Sequence, residues 1–458
     1  MRFRFLSAAA TAAIFGALAA CGTVPLQSSR EQAQALLQPA AGPLAATPAD
    51  HAAAEQELRT LLSAPLEISS AVRIAWLRNA DAQLAYARLG IAAADVFAAS
   101  RPANPKLGLS LLWPTQSGGE RKLDGSLGFG LDDLLWLHAR RQYGALELRS
   151  AQQQLALQLY TLALDTEEAW LDAVASQQRL AVRRVIAESA HVSAELAEQY
   201  RAAGNINALE SSLQAASGAE ADIAVNQALR EASRSRSRLR QLLGLTAADP
   251  LVQLPENLPA VDAATLDATA LHAQARSQRL DLAAARSDVD ALALRLAATR
   301  RYRLLGGSEI GAITEREGNS SRRSGVSAAV ELPLFSQGQP AVARVESELQ
   351  AAQARVQQIE VAIDAEVDAQ LEQLTLAREQ YTQYRDKLIP LREAAVARLS
   401  EQANFMLIGP FELLLARQQS YSAYAGAVDA LQSWWQGRIA LTRALGAPLP
   451  KPAKEDRS

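Results

Sequence analysis

Residues 342–445 carry a long helical pattern with one interruption near its middle. Before the interruption, apolar residues recur at alternating spacings of four and three on one narrow helix face: Val345, Leu349, Ala352, Val356, Ile359 and Ile363. This seam is typical of a coiled coil, and at ~1.5 Å per residue the roughly 60 residues of 342–402 predict a rod about 90 Å long. Gly409 and Pro410 interrupt the pattern, which resumes at Glu412. We therefore predict a helical hairpin.

A different periodicity marks two pairs of short segments. In 107–111 and 127–131, large apolar residues alternate with glycine and serine, and a similar pair occupies 304–313 and 326–334. Alternation with period two predicts β-strands that have one apolar face and one small or polar face. Strands of roughly nine to eleven residues suit a tilted crossing of a bilayer. The apolar face is expected to meet lipid, and a water-filled lumen is expected on the side of Ser126, Gly128, Gly130, Ser327 and Glu331.

The two halves of the chain repeat the same order of elements. A shift of 200 residues aligns Asn79 with Arg279, and a shift of 202 aligns Glu210 with Glu412 after the two helical breaks. A repeat of this size indicates a duplication. Each half reads as helix, strand, loop, strand, long helix, turn and helix.

These patterns predict a mainly α fold with membrane β-strands and the following segments. They are a signal peptide at 1–20, a tether without sustained periodicity at 21–66, a first repeat at 67–245, a linker at 246–265, a second repeat at 266–446 and a C-terminal tail at 447–458. The first repeat is expected to have strands at about 105–113 and 123–135 and a helical hairpin at 141–245. The second is expected to have strands at about 303–313 and 324–335 and a hairpin at 342–445.

The N-terminus has the features of an export signal. Arg2 and Arg4 precede an apolar segment that ends at Cys21, the only cysteine of the chain. Residues 18–21 resemble the lipobox of bacterial lipoproteins, whose cysteine is lipidated, palmitate being an expected acyl chain. Gly22, in place of the aspartate that resembles an inner-membrane retention signal, favours the outer membrane.

Net charge and motifs exclude several classes of function. The charge of −3 offers no basic excess for nucleic acid or anionic lipid. The four histidines are scattered, no H-E-x-x-H or C-x-x-C motif is present, and Cys21 is already assigned to lipidation. We therefore expect no enzyme activity, no metal site and no cofactor.

Four strands cannot close a barrel, and an open sheet edge in lipid would leave backbone groups unpaired at several kcal/mol each. Several copies of the chain must therefore contribute strands to one barrel. Barrels of eight, twelve or sixteen strands all satisfy this requirement.

The chain resembles the TolC-type outer-membrane factors of tripartite efflux and secretion systems, many of which are lipoproteins. The resemblance covers about 67–446 and is carried by the duplicated strand pairs, by the glycine-bearing breaks at 200–210 and 403–412, and by the segment 331–335. It implies a homotrimer with a twelve-stranded barrel that is continued by a periplasmic α-helical barrel. A periplasmic adaptor and an inner-membrane transporter are the implied partners.

The same resemblance assigns candidate sites. It implies that Gly204, Asn205, Gly409 and Pro410 form the tip that contacts the adaptor. Glu210 and Glu412 would form the periplasmic gate, where three chains bring six carboxylates around one axis. Leu213 and Leu415 stand where the family often has a second acid. The alternative is that each glutamate is a solvated residue that complements the helix dipole. Arg322 and Arg323 are expected to be solvated in an extracellular loop.

Two functions fit the pattern. The first is a passive outer-membrane exit duct gated at the helical tips. The alternative is a lipid-tethered periplasmic coiled coil that spaces the envelope layers without forming a pore. The sequence leaves the cargo open among drugs, metals and proteins.

Overall fold

The structure, a computed structural model, describes residues 24–37, 48–115, 120–261, 266–304, 306–318 and 322–449. The predicted signal peptide and the predicted lipidation site at Cys21 lie outside these residues. Most of the predicted C-terminal tail also lies outside them.

Helices account for most of the described chain. The first half contains α1 (Leu26–Leu36), α2 (Pro48–Leu62), α3 (Ile68–Arg78), α4 (Ala80–Ala99), α5 (Leu131–Ala202) and α6 (Ala208–Leu242). The second half contains α7 (Ala268–Gln278), α8 (Leu280–Tyr302), α9 (Gln339–Gln383), α10 (Ile389–Asn404) and α11 (Pro410–Leu445), with a π-helical turn at Tyr384–Leu388 between α9 and α10. The predicted hairpin breaks are confirmed at 203–207 and 405–409.

The N-terminal segment differs from its prediction as an irregular tether, because it contains α1 and α2. Tertiary contacts hold α1. The Gln152 side chain donates a 2.8 Å hydrogen bond to the Gln32 side chain, and the Arg30 guanidinium lies 5.7 Å from the centroid of the Tyr86 ring. Short helices are marginal alone and depend on such packing, which local sequence periodicity does not reveal.

The four strands form one antiparallel sheet in the order β1-β2-β3-β4. They are β1 (Lys106–Leu112), β2 (Lys122–Gly130), β3 (Glu309–Glu317) and β4 (Arg323–Ala329). The central pair joins the two halves of the chain, since Leu127 of β2 lies opposite Ala312 of β3.

The predicted boundaries of three strands were wrong. The second strand was predicted to reach residue 135, but the chain turns into α5 at Leu131. Leu131, Leu134 and Leu135 also fit helical spacing, and Asp132 and Asp133 lie in the first turn of α5, where carboxylates complement the helix dipole.

In the second half, β3 begins and ends later than the predicted 303–313, and β4 stops at Ala329 rather than 335. Pro333 cannot donate to a strand ladder, and the Leu334 amide donates to the Leu332 carbonyl at 2.8 Å, which forms a tight turn.

Each predicted helix preceding a strand pair is divided in two. Asn79 separates α3 from α4, and Arg279, its counterpart in the repeat, separates α7 from α8. The main chain at both residues is extended, with ψ of 132° and 118°. The sequence predicted a single helix at each place.

The described chain forms two compact units, and each combines segments of both sequence halves. Among the described residues, the first unit comprises those of 24–36, 86–155 and 284–355, and the second comprises those of 37–85, 156–283 and 356–449. Within the first unit, the Ser287 hydroxyl donates to the Gln153 side chain at 3.0 Å. Within the second unit, the Tyr160 hydroxyl donates to the Thr442 carbonyl at 3.1 Å.

The apolar seam predicted on α9, and a seam of the same spacing on α5, are covered faces of their helices. On α5 all six seam positions are buried: Leu155, Leu159, Leu162, Thr166, Ala169 and Ala173. On α9, Val345, Ile359 and Ile363 are buried.

Candidate functional site

The sheet has two chemically different faces. Opposite residues of an antiparallel pair project to the same side, so the strand register assigns each residue to one of the faces. One face carries Leu107, Leu109, Leu127, Phe129, Ile310, Ala312, Val326 and Ala328, with Thr314 and Ser324 as polar exceptions. The other carries Gly108, Ser110, Asp124, Ser126, Gly128, Gly311, Glu315 and Ser327, with Leu112 and Ile313 as apolar exceptions. The register therefore places Ser126, Gly128, Gly130 and Ser327 on one polar face, as the alternation predicts.

Ion pairs link side chains of the polar face, both between strands and along β2. The Lys106 ammonium lies 2.6 Å from the Glu309 carboxylate. Lys122 forms ion pairs with Glu315 and with Asp124, the latter at 3.8 Å. Charges of both signs thus line this face of the sheet.

The apolar face of a single chain is left uncovered. Leu107 is 81% exposed, Leu109 is 77% exposed and Val326 is 90% exposed. Within the described residues, β1 and β4 each pair with one strand only. An exposed apolar face and two unpaired edges mark a surface that meets other molecules.

The first hairpin tip, 203–207, closes with a left-handed residue. The Asn205 amide donates to the Tyr200 carbonyl at 2.8 Å, and the Gly204 amide donates to the Arg201 carbonyl at 3.0 Å. This is a Schellman arrangement, which requires the positive φ of 78° that Gly204 adopts.

The second hairpin tip, 405–409, repeats the same turn with a different residue at the left-handed position. The Leu407 amide donates to the Gln402 carbonyl at 2.9 Å, and the Met406 amide donates to the Ala403 carbonyl at 3.0 Å. Met406 has φ of 58° and is 93% exposed. The counterpart of Gly204 is therefore Met406, as the 202-residue shift implies. The sequence-based prediction takes Gly409, the glycine of the second break, as the counterpart.

Gly409 and Pro410 begin the next helix. Gly409 is the N-cap of α11 and Pro410 is its first residue. The N-cap of α6 is Asn207, whose side chain accepts a 2.9 Å hydrogen bond from the Glu210 amide. Gly409 thus occupies the position of Asn207 and offers no side-chain cap.

Glu210 and Glu412 lie in the first turns of α6 and α11, and both are exposed. Glu412 and Leu415 line a cleft together with Leu213, so both leucines lie along the same cleft. Beside it, the Phe411 ring packs edge-on against Tyr200, with centroids 5.9 Å apart. The two hairpin tips therefore contact each other.

The described residues hold neither a metal cluster nor a membrane-spanning helix. In the part of the chain that the structure describes, three or more metal-binding side chains do not cluster anywhere. Across the same residues, every helix is too short or too polar to cross a membrane.

No protein-family model and no curated protein matches the sequence. Solved structures match over most of the chain. The outer membrane channel CmeC of Campylobacter jejuni has a TM-score of 0.71 and 14% identity, covering 83% of this chain and 85% of that one. The outer membrane protein VceC of Vibrio cholerae has a TM-score of 0.68 and 15% identity, covering 84% and 97%. The open-state outer membrane channel MtrE of Neisseria gonorrhoeae has a TM-score of 0.68 and 15% identity, covering 84% and 90%.

These matches establish the fold. Long helical hairpins joined to a small antiparallel sheet are shared with solved outer membrane channels. The chain has the TolC-type outer-membrane channel fold.

Proposed function

We propose that this protein is the outer-membrane exit duct of a tripartite efflux system. It passively conducts substrates that a periplasmic adaptor and an inner-membrane transporter deliver. The proposal rests on the two-faced sheet, apolar on one side and lined with charges and glycine on the other, in a chain with an outer membrane channel fold.

Three copies form one barrel in this proposal. The edges of β1 and β4 need partners, and a β1 edge of one copy paired with a β4 edge of the next gives twelve strands without a free edge. The apolar face then meets lipid and the polar face lines the lumen. Cys21 carries the lipid anchor at the N-terminus.

The hairpin tips form the adaptor contact and the gate. Gly204, Asn205, Gly409 and Pro410 lie at or beside the two turns, and the second turn also exposes Phe405, Met406 and Leu407. This exposed apolar surface favours docking of a partner protein. Glu210 and Glu412 supply a ring of carboxylates just inside the tips.

Cysteine cross-linking tests the barrel. Cysteines are introduced in pairs, one at Gly108 or Ser110 on β1 and one at Gly325 or Ser327 on β4. Within one sheet the two cysteines lie about 14 Å or more apart, because three strand spacings separate β1 from β4. A disulfide bridges Cα atoms only up to about 7 Å apart. Covalent dimers and trimers are therefore expected, with the single-cysteine variants as controls. Monomers at every pair would contradict the trimeric barrel.

Conductance and protease protection separate the duct from the alternative spacer. A duct is a detergent-extracted trimer that conducts ions in planar bilayers, and in opened outer-membrane vesicles the strands β1 to β4 resist protease while the connections between them can be cleaved. A lipid-tethered coiled coil would be cleaved in these segments and would not conduct. Export loss in a deletion strain then identifies the cargo.

A further inference from the structure

Three arginines lie at one end of the apolar sheet face, next to the connections β1–β2 and β3–β4. Arg316 is opposite Leu123, which is opposite Leu111. The last pair of β3 and β4 is Glu315 with Arg323. Continuing this register by one residue places Arg316 opposite Arg322. The Gly318 amide donates to the Arg121 carbonyl at 2.7 Å, which continues the β2–β3 register and places Arg121 on the same face.

Side-chain contacts confirm the face of this row. The Arg322 guanidinium donates from Nε to the Thr314 hydroxyl at 2.8 Å. A Cβ built on Gly125 would lie 3.1 Å from the Thr314 methyl carbon, so Thr314 projects on the side of Gly125. Gly125 is opposite Leu109, an apolar-face residue. Trp113, one step past the end of β1, follows the same alternation and is exposed.

All acidic residues of the four strands therefore lie on the polar face. Asp124, Glu309, Glu315 and Glu317 occupy the polar face, where Lys106 pairs with Glu309 and Lys122 pairs with Asp124 and Glu315. Among the described residues, the guanidinium groups of Arg121 and Arg316 form no ion pair, and Arg322 bonds only to a hydroxyl. The Glu120 carboxylate approaches Gly318 and is the acid of the adjoining connection. Three cations therefore end a face whose other strand residues carry no charge, a local cluster of positive charge in a chain with a net charge of −3.

We propose that Arg121, Arg316 and Arg322 bind the phosphate-bearing headgroups of anionic membrane lipids, and that Trp113 completes this belt. This inference rests on the proposed function, in which the apolar face meets lipid. Guanidinium groups bind phosphate in bidentate geometry, and tryptophan favours the boundary between hydrocarbon and headgroups. The leucines beside the row contact the acyl chains of the same lipids.

The position of Arg323 provides a matched control. It neighbours Arg322 in sequence and is also exposed, but its pairing with Glu315 places it on the polar face. The sequence pattern predicts that both arginines are solvated, whereas the strand register places them on opposite faces. In this proposal only Arg322 contacts lipid.

Native mass spectrometry of the full-length protein in detergent tests the belt. The probes are a bisphosphorylated glycolipid, a zwitterionic phosphatidylcholine and inorganic phosphate. The triple variant R121Q/R316Q/R322Q is expected to bind the phosphorylated lipid about tenfold more weakly than wild type, whereas R323Q changes binding less than about twofold. The single variant R316Q, expected to lose about threefold, covers the case in which the triple variant misfolds.

Three results would overturn the lipid site. They are equal losses in R316Q and R323Q, unchanged binding in the triple variant, or inorganic phosphate that occupies the arginines as tightly as the lipid does.

Trp113 separates this inference from the proposed function. Brominated lipids are expected to quench the part of the fluorescence that Trp113→Phe removes, in both the wild type and the triple variant. Quenching without arginine-dependent headgroup binding rejects the headgroup site and leaves the duct intact. Absence of quenching in the wild type would contradict the lipid-facing sheet itself.

Discussion

The side-chain amide of Asn79 donates a 2.8 Å hydrogen bond to the main-chain carbonyl of Leu242. Asn79 is the residue between α3 and α4, and Leu242 is the last residue of α6. Two residues on, Gly244 adopts φ of 65°, and a Cβ there would lie 2.6 Å from the Arg78 carbonyl oxygen. The C-terminal end of α6 is thus held against the junction between α3 and α4.

The second half uses the same arrangement with other chemistry. Arg279 takes the place of Asn79 and donates to the Ala444 carbonyl at 3.3 Å and to Asp281 at 2.7 Å. The hydrogen bond that Arg279 donates to Asp281 and the ion pair with Glu366 raise the pKa of the Arg279 guanidinium, so it stays charged. Gly446 repeats the positive φ of Gly244.

Replacement of Asn79 should destabilise the fold. Asn79 is only 4% exposed, and its oxygen also accepts from the Asp81 amide at 2.7 Å as the cap of α4. Asn79→Ala removes both hydrogen bonds and leaves the Leu242 carbonyl unsatisfied, so we expect a loss of about 2 kcal/mol in the free energy of unfolding. Denaturant unfolding in detergent measures it. Asn79→Ser keeps a capping oxygen and should lose less, and an equal loss would show that the cap contributes little.

Placing glycine at the left-handed position of the second tip should stabilise the protein, and removing glycine from that position of the first tip should destabilise it. Met406 holds a left-handed conformation that costs a residue with a side chain roughly 1–2 kcal/mol, whereas Gly204 holds it freely. Met406→Gly should raise the stability of the isolated protein by about 0.5 kcal/mol or more, and Gly204→Met should lower it by about 1 kcal/mol. Thermal unfolding of both variants is the measurement. A loss of stability in Met406→Gly would mean that the exposed side chain makes a compensating contact.

The two tip glutamates should control ion selectivity. In the proposed trimer, Glu210 and Glu412 create a negative field that attracts cations and binds multivalent ones. The double variant Glu210→Ala, Glu412→Ala should lower cation selectivity, read as a reversal potential closer to zero in a salt gradient, and should weaken block by multivalent cations. Glu401→Ala, an exposed glutamate before the second tip, is the control. Equal effects of the control and the double variant would place the selectivity elsewhere.

Stability should depend on pH through Glu167. Burial raises the pKa of the Glu167 carboxyl, and Arg438 offsets only part of this effect. Since the folded-state pKa lies above the unfolded-state pKa, the contribution of this group is fully present below the unfolded-state pKa and is lost as pH rises through the folded-state pKa.

Glu167→Gln should therefore raise the unfolding temperature at pH 8, and the gain should vanish below about pH 4, where both states are protonated. Glu188→Gln, an exposed position on the same helix, should change little at either pH. A gain of the same size at both pH values would assign the effect to packing rather than ionisation.

The hairpins, their breaks and the alternation of the strands followed from the sequence because each is a local signal. The three-and-four spacing on α5 and α9 survives in the structure as buried seam positions. Strand ends did not follow, because Leu131 fits both period two and helical spacing. Asp132 and Asp133 at the helix start, and pairing with the other half of the chain, decide between them.

The candidate sites divide in the same way. A duplication and an alternating pattern are visible in one dimension, so the sequence singled out the paired positions Glu210 and Glu412 and the small residues of one strand face. The family resemblance supplied the roles expected of Glu210, Glu412 and Gly204, which stay predictions. Only the tertiary structure assigned the left-handed position to Met406 and paired β2 with β3. It also collected three arginines at the end of the apolar face. The register between strands about 200 residues apart depends on backbone hydrogen bonds, which local periodicity does not encode.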